Sequence, residues 1–245
     1  MATTKNISVN RVRVSGNICR NANKSASGNF AGFELAHNAS RKGETMFDKV
    51  KMYNKNGKQD IEIPFDVLVK GRRILVEGYR VKIEETDKDG KVRKQEYIIA
   101  LNVTDYPWLE DKSNPSVNEV EVSGNLYADA KKSASGNFAG FDLAHNGGKN
   151  RLVLGDKVKL FAKQDETLPF DELFKGNRVL VKGYRRAEKE TYITKEGTEK
   201  TVTRTVLVAT EVTGYPWDAA QGEEQPSAEE SVDLPMATAE ETLAE

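Results

Sequence analysis

The sequence predicts an all-β protein made of two small closed barrels in tandem, followed by a disordered acidic tail. Three observations lead there. A long segment recurs after 108 residues, apolar residues within each copy alternate with a period of two, and the last 28 of the 245 residues carry acidic groups without a single basic one.

The repeat sets the domain organisation. Residues 25–38 return at 133–146 with one change, Glu34 to Asp142. The register persists on both sides: Val14-Ser15-Gly16-Asn17 returns as Val122-Ser123-Gly124-Asn125, and Lys49-Val50-Lys51 as Lys157-Val158-Lys159. After a shortening by three residues, Pro64-Phe65-Asp66 returns as Pro169-Phe170-Asp171 and Lys70-Gly71 as Lys175-Gly176. Both copies close on the same phrase, Tyr106-Pro107-Trp108 and Tyr215-Pro216-Trp217, which holds the only two tryptophans. So long a period means duplicated domains, because solenoid units run about 20 to 50 residues. The expected division is a first domain at 1–108, a polar linker with Pro115 at 109–117, a second domain at 118–217 and a tail at 218–245. The tail is rich in Glu, Ala, Ser and Thr, and cannot bury enough apolar surface to offset the entropy of ordering it.

Within a copy, the elements follow from periodicity. Residues 9–14, Phe33 with Leu35, Val50 with Met52, Ile74 with Val76, and Ile99 with Leu101 and Val103 alternate as strands do. Asn56-Gly57 and Asp87-Lys88-Asp89-Gly90 supply hairpin turns. Only residues 65–69 and 170–174 read as a short helical turn. About five strands and one short helix in such a length suit a small closed barrel.

Composition narrows the function. Hydrophobic residues at 38% can fill cores, and charged residues at 31% mean a heavily solvated surface. No apolar run reaches the ~18 residues of a membrane span, and the polar start of the chain lacks the apolar core of a secretory signal, so an intracellular, cytoplasmic protein is expected. The Asn-x-Ser/Thr matches at Asn6, Asn23, Asn38 and Asn102 then read as chance. Cys19 is the lone cysteine, which leaves no internal disulfide and no cysteine-cluster metal site. The net charge of −1 hides a division: residues 1–112 sum to +6, 113–217 to +2 and 218–245 to −9. A cationic body favours polyanionic partners, and the tail could compete for that surface or recruit another protein.

One strand carries the chemistry. Between positions 47 and 53, Val50 and Met52 point into the barrel, while Phe47, Lys49, Lys51 and Tyr53 share the other face. Two ammonium groups thus stand between two aromatic rings. The second copy repeats this with Lys157, Lys159 and Phe161, although Gly155 replaces the first ring. Such a face suits a single nucleic-acid strand, whose bases stack on rings for roughly 1–3 kcal/mol each while cations hold its phosphates. Tyr79-Arg80 and Tyr184-Arg185 offer a ring beside a guanidinium, and Arg73 and Arg178 complete the expected contact set.

These residues resemble the bacterial single-stranded DNA-binding proteins. The first copy shows Gly16-Asn17-Ile18, then Phe33-x-Leu35-Ala36, then Lys70-Gly71-x-x-Ile74-x-Val76-x-Gly78; the second shows Gly124-Asn125-Leu126, Phe141-Asp142-Leu143-Ala144, and Lys175-Gly176 through Val179, Val181 and Gly183. The resemblance implies an OB fold, a five-stranded Greek-key barrel, and binding of single-stranded DNA in replication, recombination or repair, with no enzymatic activity and no cofactor. Phe47 and Tyr53 fall where the family carries stacking rings, and Phe161 matches the latter. The hairpin ring of the family falls near Glu85, with Tyr192 close to that position in the second copy, and its remaining tryptophan falls around Arg41 and Lys149. Family members often work with four OB modules, so a homodimer is expected. The tail lacks the family's terminal Pro-Phe, and only Asp233-Leu234-Pro235-Met236 is similar, which weakens the expectation of replication or repair proteins as partners. The alternative is an OB module that binds a protein or RNA.

Other residues invite less. His37 and His145 lack an accompanying serine, cysteine or carboxylate constellation in sequence, so a hydrogen-bonded structural role is expected ahead of a nucleic-acid contact. Residues 25–29 read as a hairpin turn, since the phosphate-loop pattern is absent. Asp87-x-Asp89-Gly90 has Ile98 where a calcium loop needs a bidentate Glu. Trp108 and Trp217 are expected to pack beneath a barrel or between modules ahead of contacting a ligand.

Overall fold

The computed structural model describes residues 8–38, 44–56, 59–86, 89–110, 115–147, 151–163, 167–194 and 197–216. The middle of the expected linker, Trp217 and the tail lie outside the described residues. The first copy supplies five long strands: β1 (Asn10–Ile18), β2 (Phe30–Asn38), β3 (Thr45–Tyr53), β4 (Arg73–Thr86) and β5 (Val92–Asp105). The second copy supplies β6 (Asn118–Leu126), β7 (Phe138–His145), β8 (Leu154–Phe161), β9 (Arg178–Ile193) and β10 (Glu199–Gly214).

In the first copy β1 pairs antiparallel with both β2 and β4, β2 with β3, and β4 with β5. A parallel pairing of β3 with β5, at Val50 opposite Ile98, closes the ring. The second copy closes identically, with β8 parallel to β10 at Val158 opposite Leu207. Each copy is therefore a five-stranded OB barrel. Val14, Leu35, Val50, Met52, Ile74 and Val76 fill the first barrel, and Leu143, Val158, Val179 and Val181 the second. Each such side chain removed from water contributes roughly 1.5–3 kcal/mol. The expected short helix shrinks to one turn: a simple turn after Pro64, and a 3₁₀ helix at Phe170–Glu172. Its work is done by the next residue, since Leu68 and Leu173 are buried in the barrel core.

β4 and β9 bend where each crosses its barrel, through bulges at Glu77/Gly78 and Lys182/Gly183. A Cβ on Gly78 would lie 2.0 Å from the Ile99 carbonyl oxygen, and one on Gly183 2.1 Å from that of Val208. The last glycine of the Lys-Gly phrase is thus demanded by close approach of the neighbouring strand.

The two barrels share one sheet. β1 pairs antiparallel with β6, and Val12 stands opposite Val120, its own repeat equivalent. A local pseudo-twofold axis therefore passes through that pair. Ser15 exchanges hydrogen bonds with Val117, and Ser123 does the same with Val9. The end of the expected linker is consequently built into the sheet.

Two buried clusters extend this junction. His37 Nε2 lies 2.8 Å from Asp48 Oδ2, and Asp48 receives both terminal nitrogens of Arg185 from the other barrel. The mirror arrangement has His145 Nε2 at 2.9 Å from Asp156 Oδ2, with Arg80 donating to both carboxylate oxygens at 3.2 and 2.8 Å. Each barrel thus supplies the arginine for the other's histidine–aspartate pair.

Candidate nucleic-acid interface

The outward face of β3 meets the β4–β5 hairpin, and the parallel pairing of β3 with β5 lays Lys49 and Lys51 beside Gln95 and Tyr97. Lys49 Nζ donates to Gln95 Oε1 at 2.9 Å, and Lys51 Nζ stands 4.1 Å from the centre of the Tyr97 ring. Beneath the lysines Val81, Tyr97 and Ile99 form a small apolar cluster outside the barrel, with Tyr53, Tyr79 and Ile83 packed against it. This cluster gives the ammonium groups a rigid aromatic floor.

Rings frame the face. Tyr53 packs against Phe30 with centroids 5.2 Å apart, and Phe161 packs against Phe138 at the same distance. Phe47 is 61% exposed, Phe161 49% and Tyr192 42%. Exposed rings braced by a second ring keep their orientation in the absence of a base. Burial pushes the Tyr53 hydroxyl up from its ordinary value.

Carboxylates complete the arrangement. Glu85 accepts from Lys51 Nζ at 2.7 Å through one oxygen and from the Tyr97 hydroxyl through the other. Burial pushes the Glu85 carboxyl up, yet the bonds from Lys51 and Tyr97 outweigh it and hold the group below its usual range. Burial and the Glu85 bond together push Tyr97 up, so its hydroxyl is a donor throughout the physiological range. In the second barrel Glu188 bonds Lys159 and Arg186, while Glu190 lies 3.7 Å from Lys157 and 3.0 Å from Arg204.

The expected contact set divides. Phe47, Lys49, Lys51, Tyr53 and Tyr79 come together on the first barrel, and Lys157, Lys159, Phe161, Tyr184 and Tyr192 belong to the equivalent strands of the second. The four arginines require correction. Arg80 and Arg185, only 4% and 6% exposed, are committed to Asp156 and Asp48. Arg73 is buried, donating to the Tyr106 and Pro115 carbonyls and to Ser15 Oγ; Arg178 donates to the Tyr215 carbonyl and Ser123 Oγ. Burial lowers both guanidinium pKa values. These groups fix the barrel ends and the inter-barrel junction.

Trp108 also departs from expectation. It is 62% exposed and lies flat on Arg73, 3.6 Å from the guanidinium to the ring centre, so it covers a buried cation from outside and does not plug the barrel. Tyr97, Gln95, Arg186 and Arg204 are the face residues that sequence reasoning missed. For Gln95, Tyr97 and Arg204 the signal lay in the alternation of β5 and β10, once the parallel pairing placed those strands beside β3 and β8; Arg186 lies on β9. His37 and His145 have the structural role expected of them. Residues 25–29 form the expected turn, with Gly28 at φ +74° and Ser25 Oγ accepting from the Phe30 amide. No group of three metal-binding side chains occurs among the described residues, and none of their helices is long and apolar enough to cross a membrane.

No protein-family model and no curated protein matches the chain. Solved structures do. The wild-type single-stranded DNA-binding protein of Thermus aquaticus superposes with a TM-score of 0.54 at 21% identity, covering 87% of this chain and 96% of that one. A deletion variant of the same Thermus aquaticus protein gives 0.52 at 21% identity, covering 89% and 98%. At that identity the likeness is one of fold, and it extends over both barrels: the chain shares the two-barrel architecture of the Thermus aquaticus protein.

Proposed function

We propose that the chain is a non-enzymatic single-stranded DNA-binding protein that coats the strand with little base preference, in replication, recombination or repair. The observation that carries this is the repeated strand face: two lysines beside a ring braced by a second ring, once on each barrel of a continuous sheet, with an aromatic floor under the lysines of the first. Each base has a π face, so stacking tolerates sequence, and lysines neutralise phosphates without reading bases. The fold likeness to the Thermus aquaticus protein supports the reading. A homodimer would supply the four OB modules common in the resembling family, and the acidic tail would compete with DNA for the cationic body or recruit another protein.

The test is fluorescence anisotropy of a labelled oligo-dT against equal lengths of duplex DNA and single-stranded RNA, at two salt concentrations. Strong, salt-dependent preference for the DNA single strand is the expected outcome. Indifference to strandedness would sink it and turn the search to a protein partner. Lys49→Ala with Lys51→Ala should weaken binding and flatten the salt dependence, by about 0.7 in slope for each single-strand phosphate no longer neutralised.

A further inference from the structure

Three of the four lysines of the proposed face, Lys51, Lys157 and Lys159, are already paired with carboxylates, and a carboxylate resembles a phosphate. Glu85 presents two oxygens, one 2.7 Å from Lys51 Nζ and the other accepting from Tyr97. In the second barrel the Glu188 carboxylate is held between Lys159 and Arg186. Glu190 stands in turn between Lys157 and Arg204. A carboxylate and a phosphodiester both present two anionic acceptor oxygens, and donors arranged around one suit the other.

We propose that Glu85, Glu188 and Glu190 mark three phosphate subsites and act as built-in competitors for them. The subsites are Lys51 with the Tyr97 hydroxyl in the first barrel, and Lys159 with Arg186 and Lys157 with Arg204 in the second. A strand occupies each by displacing the carboxylate, which swings to solvent on its flexible stem while the donors keep their places. This rests on the proposed function and adds residues to it: Tyr97, Arg186 and Arg204 become backbone-binding groups, and the glutamates set the affinity.

Charge makes the barrels unequal, because the first offers one such subsite with a neutral co-donor and the second offers two with paired cations. Affinity is also held down, since each phosphate must break an existing ion pair before it forms its own. Displacement keeps the exchange cheap for a strand that must be released, because each cation trades one anion for another and is never left bare.

The test uses the full chain with Glu85→Gln, Glu188→Gln and the double substitution, and oligo-dT binding measured over a range of salt. Glutamine keeps the shape and an acceptor for Tyr97 but loses the charge. Each variant should bind about two- to fivefold more tightly, which is the strength of a part-exposed ion pair, the double variant more so, with a steeper salt dependence as freed cations take up counterions. Glu77→Gln, which alters an ion pair of Glu77 with Arg13 where β4 meets β1, controls for net charge and should change affinity less. Unchanged or weaker binding in variants whose urea midpoints match wild type would overturn the proposal. A second arm titrates tripolyphosphate, a polyanion without bases. If wild type ignores oligo-dT while the glutamine variants still bind tripolyphosphate more tightly, the DNA reading fails and the subsites stand; if neither substitution alters tripolyphosphate binding, the subsites fall.

Discussion

Asp48 sits on the same strand face as Val50 and Met52, yet it keeps its charge, because it lies at the end of the barrel where Arg185 crosses from the other copy. Burial pushes its carboxyl up, and the charge and hydrogen bonds of Arg185 and His37 more than reverse that, holding it well below the ordinary carboxylate range. His37 Nε2 faces the Asp48 carboxylate, and His37 Nδ1 is buried without a hydrogen-bond partner. Arg185→Met should therefore cost about 3–5 kcal/mol in a urea unfolding curve, the penalty for abandoning a buried charge. A loss under about 1 kcal/mol, the range of an exposed pair, would mean that water reaches Asp48 in solution. A hydrogen-bonded role for the histidine was expected from sequence, but its carboxylate partner Asp48 was not recognised there. Nor was the arginine, since 137 residues separate Arg185 from Asp48 and an arginine beside a tyrosine reads equally well as a nucleic-acid contact. On the opposite face Phe161, braced by Phe138, should lose about 1–3 kcal/mol of oligo-dT affinity on mutation to Ala with little change in salt slope. Equal loss of slope would show that the ring acts by positioning Lys159.

Strand alternation carries most of what could be read at the level of the element. The period of two in β3 correctly divides Val50 and Met52 from Phe47, Lys49, Lys51 and Tyr53. It could not reveal that Tyr97 lies under Lys51, because that contact depends on β5 returning parallel to β3, and pairing partners leave no mark in a single strand's pattern. The short helix reads too long in sequence for a related reason: apolar spacing over five residues fits a single turn that delivers Leu68 or Leu173 into the barrel as well as it fits a helix. The bulges show a motif whose cause becomes visible only in three dimensions. Gly78→Ala drives a Cβ against the Ile99 carbonyl, a backbone atom that cannot move without disrupting the β4–β5 ladder. The expected cost is about 1–3 kcal/mol, with the same sign for Gly183→Ala. Because β4 carries Tyr79 directly after its bulge, Gly78→Ala should also weaken oligo-dT binding. A variant with unchanged stability and affinity would mean that the bulge relaxes freely.

At the scale of the whole molecule, duplication has produced two barrels that complete each other. On the shared sheet Arg11 faces Glu121 and Arg13 faces Glu119. Two copies of the first barrel paired in the same register would instead set Arg11 against Arg13, so the charges favour the pairing of unlike copies. The same exchange is buried in the two histidine–aspartate–arginine clusters, and it ties junction stability to pH. Both Asp48 and Asp156 are held below the ordinary carboxylate range in the folded chain, whereas in the unfolded chain each titrates near the ordinary value of about 3.9. A group whose folded pKa is depressed contributes its full stability above the unfolded value and loses it as pH falls toward the folded one. Glu85, Glu188 and Asp105 are shifted the same way and add to the effect from more exposed positions. The urea midpoint should therefore be flat with respect to these groups from neutral pH to about pH 5 and fall steeply below about pH 4. Asp48→Asn with Asp156→Asn should begin from a lower midpoint, because each arginine is left buried without its anion, and then decline more shallowly with acid. An acid limb as steep in that double variant as in wild type would mean that the junction carboxylates do not govern acid unfolding. A shallower one would identify the two swapped clusters as the groups that set the acid limit of the fold.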